Sequence, residues 1–370
     1  MLQEITEGKT TVLVYLNKNT SKGPGVRTKY PFYNPSMELN RDISILVAQW
    51  LIDNRDKSLK LLDALASTGI RGFRFAKELE GDFKVVINDW SKEAYKLIKE
   101  NLSRLNLDNV TILNEDIHLV LARERFHYID IDPFGSPVFY IDSAIRSIHH
   151  RGIIAVTATD TATLCGLYPK VCLRRYSVRP YHSPVMHEIA IRILIGFIGR
   201  EAAKYDKGIK PLLSYKTDHY IRLYLEVWNN TSKANETIDK ISYISSSKLD
   251  FISKKPEETV GPLWLGKTGD KKIIKELIDI AMTKTFNNRH KLLSLLYLLE
   301  GEADAPAFYY TTNDIASHLK TSPPSLNILF EKLREKGYNV VRTHLDPMGF
   351  RTDAPREVIE WFFLQYHSKL

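Results

Sequence analysis

At 370 residues, with 44% hydrophobic and 26% charged side chains, the chain has the composition of a soluble protein and the length for two cores. No apolar run is long enough to cross a bilayer, and the N-terminus lacks the basic and apolar regions of a signal peptide. Two cysteines, Cys165 and Cys172, exclude a disulfide framework and a four-cysteine zinc site, so a reducing, cytoplasmic setting without a bound metal is expected.

In chain order, residues 2–16 read as a β-hairpin, with Thr10 to Leu16 strongly β-forming, and a polar loop follows from Asn17 to Lys29. Pro31-Phe32-Tyr33-Asn34-Pro35 then leads through Asn40-Arg41-Asp42 into a helix ending near Ile52. An apolar strand at 59–65 meets the turn Ser67-Thr68-Gly69-Ile70-Arg71-Gly72, and a helical pattern runs on through Leu79. A second strand, 84–88, ends on Asp89 and is followed by a helix over 93–105. The third, 110–113, ends in Asn114-Glu115-Asp116-Ile117, and the fourth, 128–131, in Asp132-Pro133-Phe134-Gly135-Ser136-Pro137. A helix over 139–149, a strand over 152–157, a helix over 188–202 and a closing antiparallel strand over 220–227 complete an α/β unit.

The stretch from Trp228 to Gly261 is polar and weakly patterned, so the domain boundary is set at 230/231. Beyond it, Tyr309 to Leu319 and Leu326 to Arg334 read as helix-turn-helix, with wing strands near 340–344 and 349–352. The expected fold is thus α/β and Rossmann-like over 1–230, with a smaller α+β domain of winged-helix character over 231–370. Arg342, His344 and Arg351 are candidate nucleic-acid contacts there.

Ligands of open α/β sheets bind at the carboxyl ends of strands, where this chain carries Asp63, Asp89, Asp116 and Asp132. The turn after the first strand lacks the first glycine that a dinucleotide pyrophosphate needs. Carboxylates in that position would repel NAD but tolerate the sulfonium of S-adenosylmethionine. A single strand-end Asp is as well explained by helix capping or a turn; four in order favour a site. The net charge of +8 is concentrated: from Lys170 to Arg222 there are 11 Lys/Arg against 4 Asp/Glu, 11 − 4 = +7. With Tyr168, Tyr176 and Tyr181 interleaved, that segment suggests a polyanion surface in which Arg174, Arg175 and Arg179 contact phosphates.

Asp63-Ala-Leu-Ala-Ser-Thr-Gly-Ile-Arg-Gly72, Ile87-Asn-Asp89, Asp130-Ile-Asp-Pro-Phe-Gly-Ser-Pro137 and the upstream Tyr33–Asp42 segment resemble the class I methyltransferase motifs of the tRNA guanine-26 N2-dimethyltransferases. The resemblance covers nearly the whole chain, although the cysteine-rich zinc-binding insert that some members carry has no counterpart. It implies S-adenosylmethionine as cofactor and tRNA as partner, with no membrane and no obligate protein partner, in a monomer. It places Arg41 against the cofactor and Phe32 beside the target base. Arg71 is a second candidate for the cofactor's carboxylate, whose shape an arginine fork matches. Asp63 and Asp89 belong to the cofactor pocket, Asp89 at the ribose hydroxyls. Glu115, Asp116 and Ile117 form the adenine corner.

Chemistry at the exocyclic N2 of guanine needs alignment of amine and methyl and removal of a proton. Asp132 and the carbonyl of Pro133 are expected to accept from N2–H while Phe134 stacks on the base. Alternatives from other classes are an amino-methyltransferase for another tRNA guanosine, rRNA or DNA, a nicotinamide dehydrogenase, and a non-enzymatic winged-helix protein.

Overall fold

The computed structural model describes residues 2–16, 31–250 and 256–367. The hairpin is present as β1 (Leu2–Glu7) and β2 (Thr10–Tyr15); the expected loop from Asn17 to Lys29 lies outside the described residues. Helix α1 (Glu38–Asp53) precedes the alternation β3 (Leu59–Asp63), α2 (Ile70–Glu78), β4 (Phe83–Asn88), α3 (Lys92–Leu105), β5 (Val110–Leu113), α4 (Ile117–Arg123), β6 (Phe126–Ile131), α5 (Val138–Ser147) and β7 (Ile148–Ala158). Short helices α6 (Thr161–Leu164) and α7 (Pro169–Tyr176) lead to α8 (Met186–Ala203) and to β8 (Lys207–Thr217) and β9 (Tyr220–Asn229).

Seven strands form one sheet in the order β5-β4-β3-β6-β7-β9-β8. It is parallel from β5 to β7, and β9 and β8 close it antiparallel. The central strands are buried on both faces, which is why they read as apolar runs: Leu61, Leu62, Ile129 and Ile131 are all fully buried. Helices α1, α2 and α3 cover one face, and α4, α5 and α8 the other. The chain winds from β3 out to β5 and returns on the other side of β3 at β6. A crevice therefore opens at the carboxyl ends of β3 and β6, the switch point of the sheet.

The polar stretch after Trp228 is more ordered than its pattern suggests. It forms α9 (Thr231–Asp239), β10 (Ile241–Ser245) and β11 (Thr259–Trp264). Its polar side chains are occupied locally: Asn230 caps α9 by accepting from the Lys233 N–H, and Thr237 Oγ1 accepts from the Ile209 N–H at 3.0 Å. Next, α10 (Lys271–Thr283) and α11 (Arg289–Glu302) pack Ile273, Leu277, Leu292 and Leu296 into the same core as α1. A separate apolar core appears only over residues 315–363, well after the 230/231 boundary.

That core belongs to β12 (Tyr310–Thr311), α12 (Thr312–Leu319), α13 (Leu326–Glu335), β13 (Val340–Arg342), β14 (Gly349–Thr352) and α14 (Arg356–His367). With α11 in front and the sheet order β12-β14-β13, this is the winged-helix arrangement. Thr311 and Ser325 cap its two central helices as their sequence positions suggest.

Two of the three wing residues expected to contact nucleic acid face inward instead. Arg351 is 5% exposed and pairs with Glu188 of α8 at 2.9 Å and Glu302 of α11 at 2.8 Å. His344 donates through Nδ1 to Glu302 and accepts through Nε2 from the Lys216 N–H at 3.2 Å. A buried guanidinium needs carboxylates around it, and here they come from α8 and α11. Of the three, only Arg342 is exposed.

Candidate active site

The turn from β3 to α2 places the first set of groups. Ser67 (φ +51°) and Gly69 (φ +77°) adopt left-handed backbone, which turns the chain sharply enough to start α2 at Ile70. A Cβ on Gly72 would meet Ile87 Cγ1 at 2.5 Å, so glycine there lets α2 lie close on β4. Asp63, 3% exposed, accepts from the Gly72 N–H at 3.0 Å and ties the strand end to the helix. Burial pushes its carboxyl up to about 7, against the pull of Arg71. It is a post for the turn, with one oxygen committed to the start of α2.

Asp89 follows β4 and receives one N–H on each oxygen, from Ser67 at 2.8 Å and Ser91 at 2.9 Å. Burial raises its carboxyl, opposed by those two bonds. Each oxygen keeps a lone pair beyond the one in use, in a carboxylate that its neighbours hold still. At the end of β5, Asp116 caps α4 by accepting from the His118 N–H at 2.7 Å, while Glu115 is drawn to Arg123 at 3.0 Å. Ile117 is buried in the core beneath them.

Beyond β6 the chain carries Asp132, paired with Arg71. Arg71 also donates to Asn40 Oδ1 at 2.8 Å and Ser44 Oγ at 2.6 Å, and its Nε lies 3.4 Å from Asp130. Asp130 is fully buried and held from its other side by Arg222, itself fully buried and bonded to Thr157 at 2.9 Å. Burial works to raise Asp130, but Arg222 and then Arg71 outweigh it and keep the carboxyl below its usual range. The sequence motifs do not single out Asp130, Arg222, Asn40 or Ser44 as site residues. The available signal is a charge inside each of two apolar strands, Tyr128-Ile-Asp-Ile131 and Tyr220-Ile-Arg-Leu-Tyr-Leu225, which demands a buried partner.

The two arginines expected at the cofactor carboxylate are both engaged. Arg71 is taken by the network just described. Arg41, 6% exposed, forks onto Glu7 at 2.7 and 2.5 Å and donates to the Asn34 carbonyl at 3.0 Å. Glu7 also meets Arg74 at 3.3 Å, so this cluster pins the N-terminal hairpin to α1 and α2. Burial works to raise Glu7, and the two guanidinium groups outweigh it and hold its carboxyl down.

Phe134 is 51% exposed at the mouth of the crevice, its ring 5.3 Å from that of Phe32 with 57° between the planes. A flat base between two rings needs about 7 Å, two contact layers of roughly 3.5 Å each. The rings therefore close on one another here instead of facing across a gap, and a base entering between them must part them. The Phe32 carbonyl accepts from Ser67 Oγ at 2.8 Å, which ties its backbone to the turn after β3. Pro133 is buried behind Phe134. Gly135 anchors the loop by donating to Thr159 Oγ1 at 2.7 Å, and Ser136 bonds the Tyr176 hydroxyl at 2.8 Å.

That bond brings α7, with Arg174 and Arg175, beside the loop after β6. Arg174, Arg175 and Arg179 are all exposed; Arg175 lies 3.3 Å from Asp160. Other members of the basic segment are not surface charges. Arg192, Lys207 and Arg222 are buried, and so are Tyr176 and Tyr181, so its excess overstates the positive surface. Among the described residues, no group of three or more His, Cys, Asp or Glu is placed to hold a metal ion.

Likeness to known proteins extends over nearly the full chain. The profile of a family described as N2,N2-dimethylguanosine tRNA methyltransferase matches residues 8–363. A tRNA (guanine(26)-N(2))-dimethyltransferase from Thermococcus kodakarensis is 40% identical over 353 residues, covering 89% of this chain and 91% of the relative. One from Methanococcus maripaludis is 38% identical over 378 residues, 99% of each chain. The structure of Trm1 from Pyrococcus horikoshii in complex with S-adenosyl-L-methionine matches with a TM-score of 0.86 at 37% identity, covering 97% of this chain and 98% of that one.

Proposed function

The chain belongs to the N2,N2-dimethylguanosine tRNA methyltransferase family, and on that footing we propose how its residues transfer methyl groups from S-adenosylmethionine to the N2 of guanosine 26 in tRNA. It is a tRNA (guanine(26)-N2)-dimethyltransferase. The observation that carries the residue assignment is Asp132, partly exposed after β6 between Arg71 and the Phe32–Phe134 pair. Mass spectrometry of tRNA nucleosides, after incubation with enzyme and labelled S-adenosylmethionine, tests the activity. Labelled dimethylguanosine at position 26 is the expected product, and an unlabelled tRNA pool would overturn it.

The crevice fits this cofactor. It bears carboxylates at successive strand ends, which suit a sulfonium cation, and Asp89 is held with lone pairs free for vicinal hydroxyls. Asp89 would bind the ribose, and Glu115, Asp116 and Ile117 would border the adenine. When bound, S-adenosylmethionine supplies an electrophilic methyl on a sulfonium leaving group. Asp132 accepts a hydrogen bond from the N2–H of the inserted guanine, and the Pro133 carbonyl a second. Together they draw the amine lone pair out of conjugation, and Asp132 takes up the proton released. Arg71 keeps the carboxylate oriented, and Asp130 with Arg222 keeps Arg71 in place. Phe134 covers the base, which must leave its stack in the tRNA to reach this loop.

No helix among the described residues is long and apolar enough to cross a membrane. We read the enzyme as a monomer acting on cytoplasmic tRNA.

Two tests address binding. Asp89→Ala should weaken S-adenosylmethionine binding at least tenfold and leave tRNA affinity near wild type, read by calorimetry with each ligand alone. Unchanged cofactor affinity would remove Asp89 from the ribose site. Replacing Arg174, Arg175 and Arg179 together with alanine should weaken tRNA binding and flatten its dependence on salt, by roughly 0.7–0.9 in log–log slope for each phosphate no longer neutralised. An unaltered slope with a lowered melting temperature would make the three arginines structural.

A further inference from the structure

We propose that the groove between α4 and α5 is a phosphate-binding site that holds the tRNA backbone away from the target base; the idea rests on the tRNA-methylating function above. The groove encloses about 380 Å³, and its walls carry Arg123, Arg125 and Arg146 with His118 and Ser143, against the single carboxylate Glu124. That carboxylate is already engaged, paired with Lys60 and 3.7 Å from Arg123. Arg123 is in turn held by Glu115. Arg125 and Arg146 are exposed and have no carboxylate partner among the described residues.

An independent observation lies behind the last turn of α5. Lys207 is 9% exposed, donates to the Ile145 carbonyl at 2.5 Å, and has no carboxylate partner among the described residues. Burial, and then the charge of Arg125, pushes its ammonium below the usual lysine value. His149 is lowered in the same way, by burial and then by Lys57, Arg125 and Lys207. Positive groups gathered around a groove whose one carboxylate, Glu124, is committed to Lys60 create a field that a bound anion relieves.

The shape of the groove suits a chain of phosphates. Its near end is His118, two residues past Asp116 at the crevice, stacked on Tyr140 with centroids 5.8 Å apart. Its far end is Arg125 and Arg146, at the close of α5. That helix starts directly after the catalytic loop, and its ten residues extend about 15 Å. Arg125 directly precedes β6 and Asp132 directly follows it, so the far end lies about 20 Å from the target base and meets phosphates several nucleotides along the backbone. Guanidinium forks match phosphate oxygens, and the bond between His118 Nδ1 and Ser143 Oγ at 2.7 Å ties the two helices together at the near end.

The test is the Arg125→Ala/Arg146→Ala variant of the full chain, with Arg125→Lys/Arg146→Lys as the charge-keeping control. tRNA affinity is measured at several salt concentrations, alongside cofactor affinity and a melting curve. The alanine variant should bind tRNA at least fivefold more weakly at low salt, with a log–log salt slope smaller by roughly 1.5, the share of two phosphates. Cofactor affinity, melting temperature and kcat at saturating tRNA should stay at wild-type values, and the lysine variant should recover most of the slope. An unchanged slope overturns the proposal. So does a groove that binds inorganic phosphate in the wild type while tRNA binding is indifferent to the variant, for that would be a small-anion site. Methyl transfer to tRNA by the wild type is scored first: its absence overturns the activity itself, whereas transfer with an unchanged slope overturns only the groove.

Discussion

Asp132→Asn should lower the rate of methyl transfer at least about a hundredfold while leaving S-adenosylmethionine affinity within a factor of about three. A positioned general base contributes on the order of 10²–10⁴ to rate, and the amide cannot take up the proton that N2 must lose. The amide oxygen can still accept from Arg71, but the ion pair that now orients this side chain is lost with the charge. Arg71 itself stays anchored, because Asn40, Ser44 and Asp130 hold it independently. The fold of the loop is supported elsewhere, through Thr159 and Tyr176. The decisive measurement is single-turnover transfer of labelled methyl groups at saturating tRNA and cofactor. Wild-type rate under those conditions would show that Asp132 neither accepts the proton nor aligns the amine.

The second large effect concerns the seam between the winged-helix unit and the catalytic sheet. Arg351→Ala leaves Glu188 with Arg192 and Glu302 with His344, both still buried but without the guanidinium that they now share. Removing one partner from a buried ionic cluster costs about 3–5 kcal/mol, because the remaining charges stay buried. The melting temperature should fall accordingly, and hydrogen exchange should accelerate across β13 and β14. Glu302 gives the seam a pH dependence of known sign. Burial tends to raise its carboxyl, yet His344 and Arg351 outweigh burial and hold it at about 2, below its ordinary value of 4.5. A depressed carboxyl stabilises the fold above its unfolded value, and that contribution disappears as pH falls through the folded one. The loss thus spans about pH 5 to pH 2 and amounts to about 3 kcal/mol. Denaturant unfolding of Glu302→Gln should be flatter with pH across that window, and an unchanged profile would show that Glu302 does not carry the acid sensitivity.

The elements and their order were legible in the sequence because burial imposes a period. Strands β3, β4 and β6 are covered on both faces and read as apolar runs, and α3 turns Ala94, Leu97, Ile98, Leu102 and Leu105 toward the core. Strand β9 alternates in sequence, yet Tyr220 to Val227 are all buried, so its charged side chains are paired inside. The convergence of strand-end acids was legible too, because parallel strands joined by helices must all end at one edge of the sheet.

Only the tertiary structure decided which charges face solvent and which face each other. Asp130 and Arg222 lie 92 positions apart and meet solely because β6 and β9 flank β7. Arg41 is claimed by Glu7 from the hairpin, and Arg351 by Glu188 from α8. The excess of the basic segment looked like surface because composition counts Arg192 and Arg222 without their partners. Likewise, α10 and α11 carry an ordinary apolar stripe that does not say which core it joins; only packing shows that they share one with α1. Local pattern records how apolar each face of an element is. The partner of a buried charge depends on register and packing between distant elements, where desolvation makes an unpaired ion too costly to leave alone.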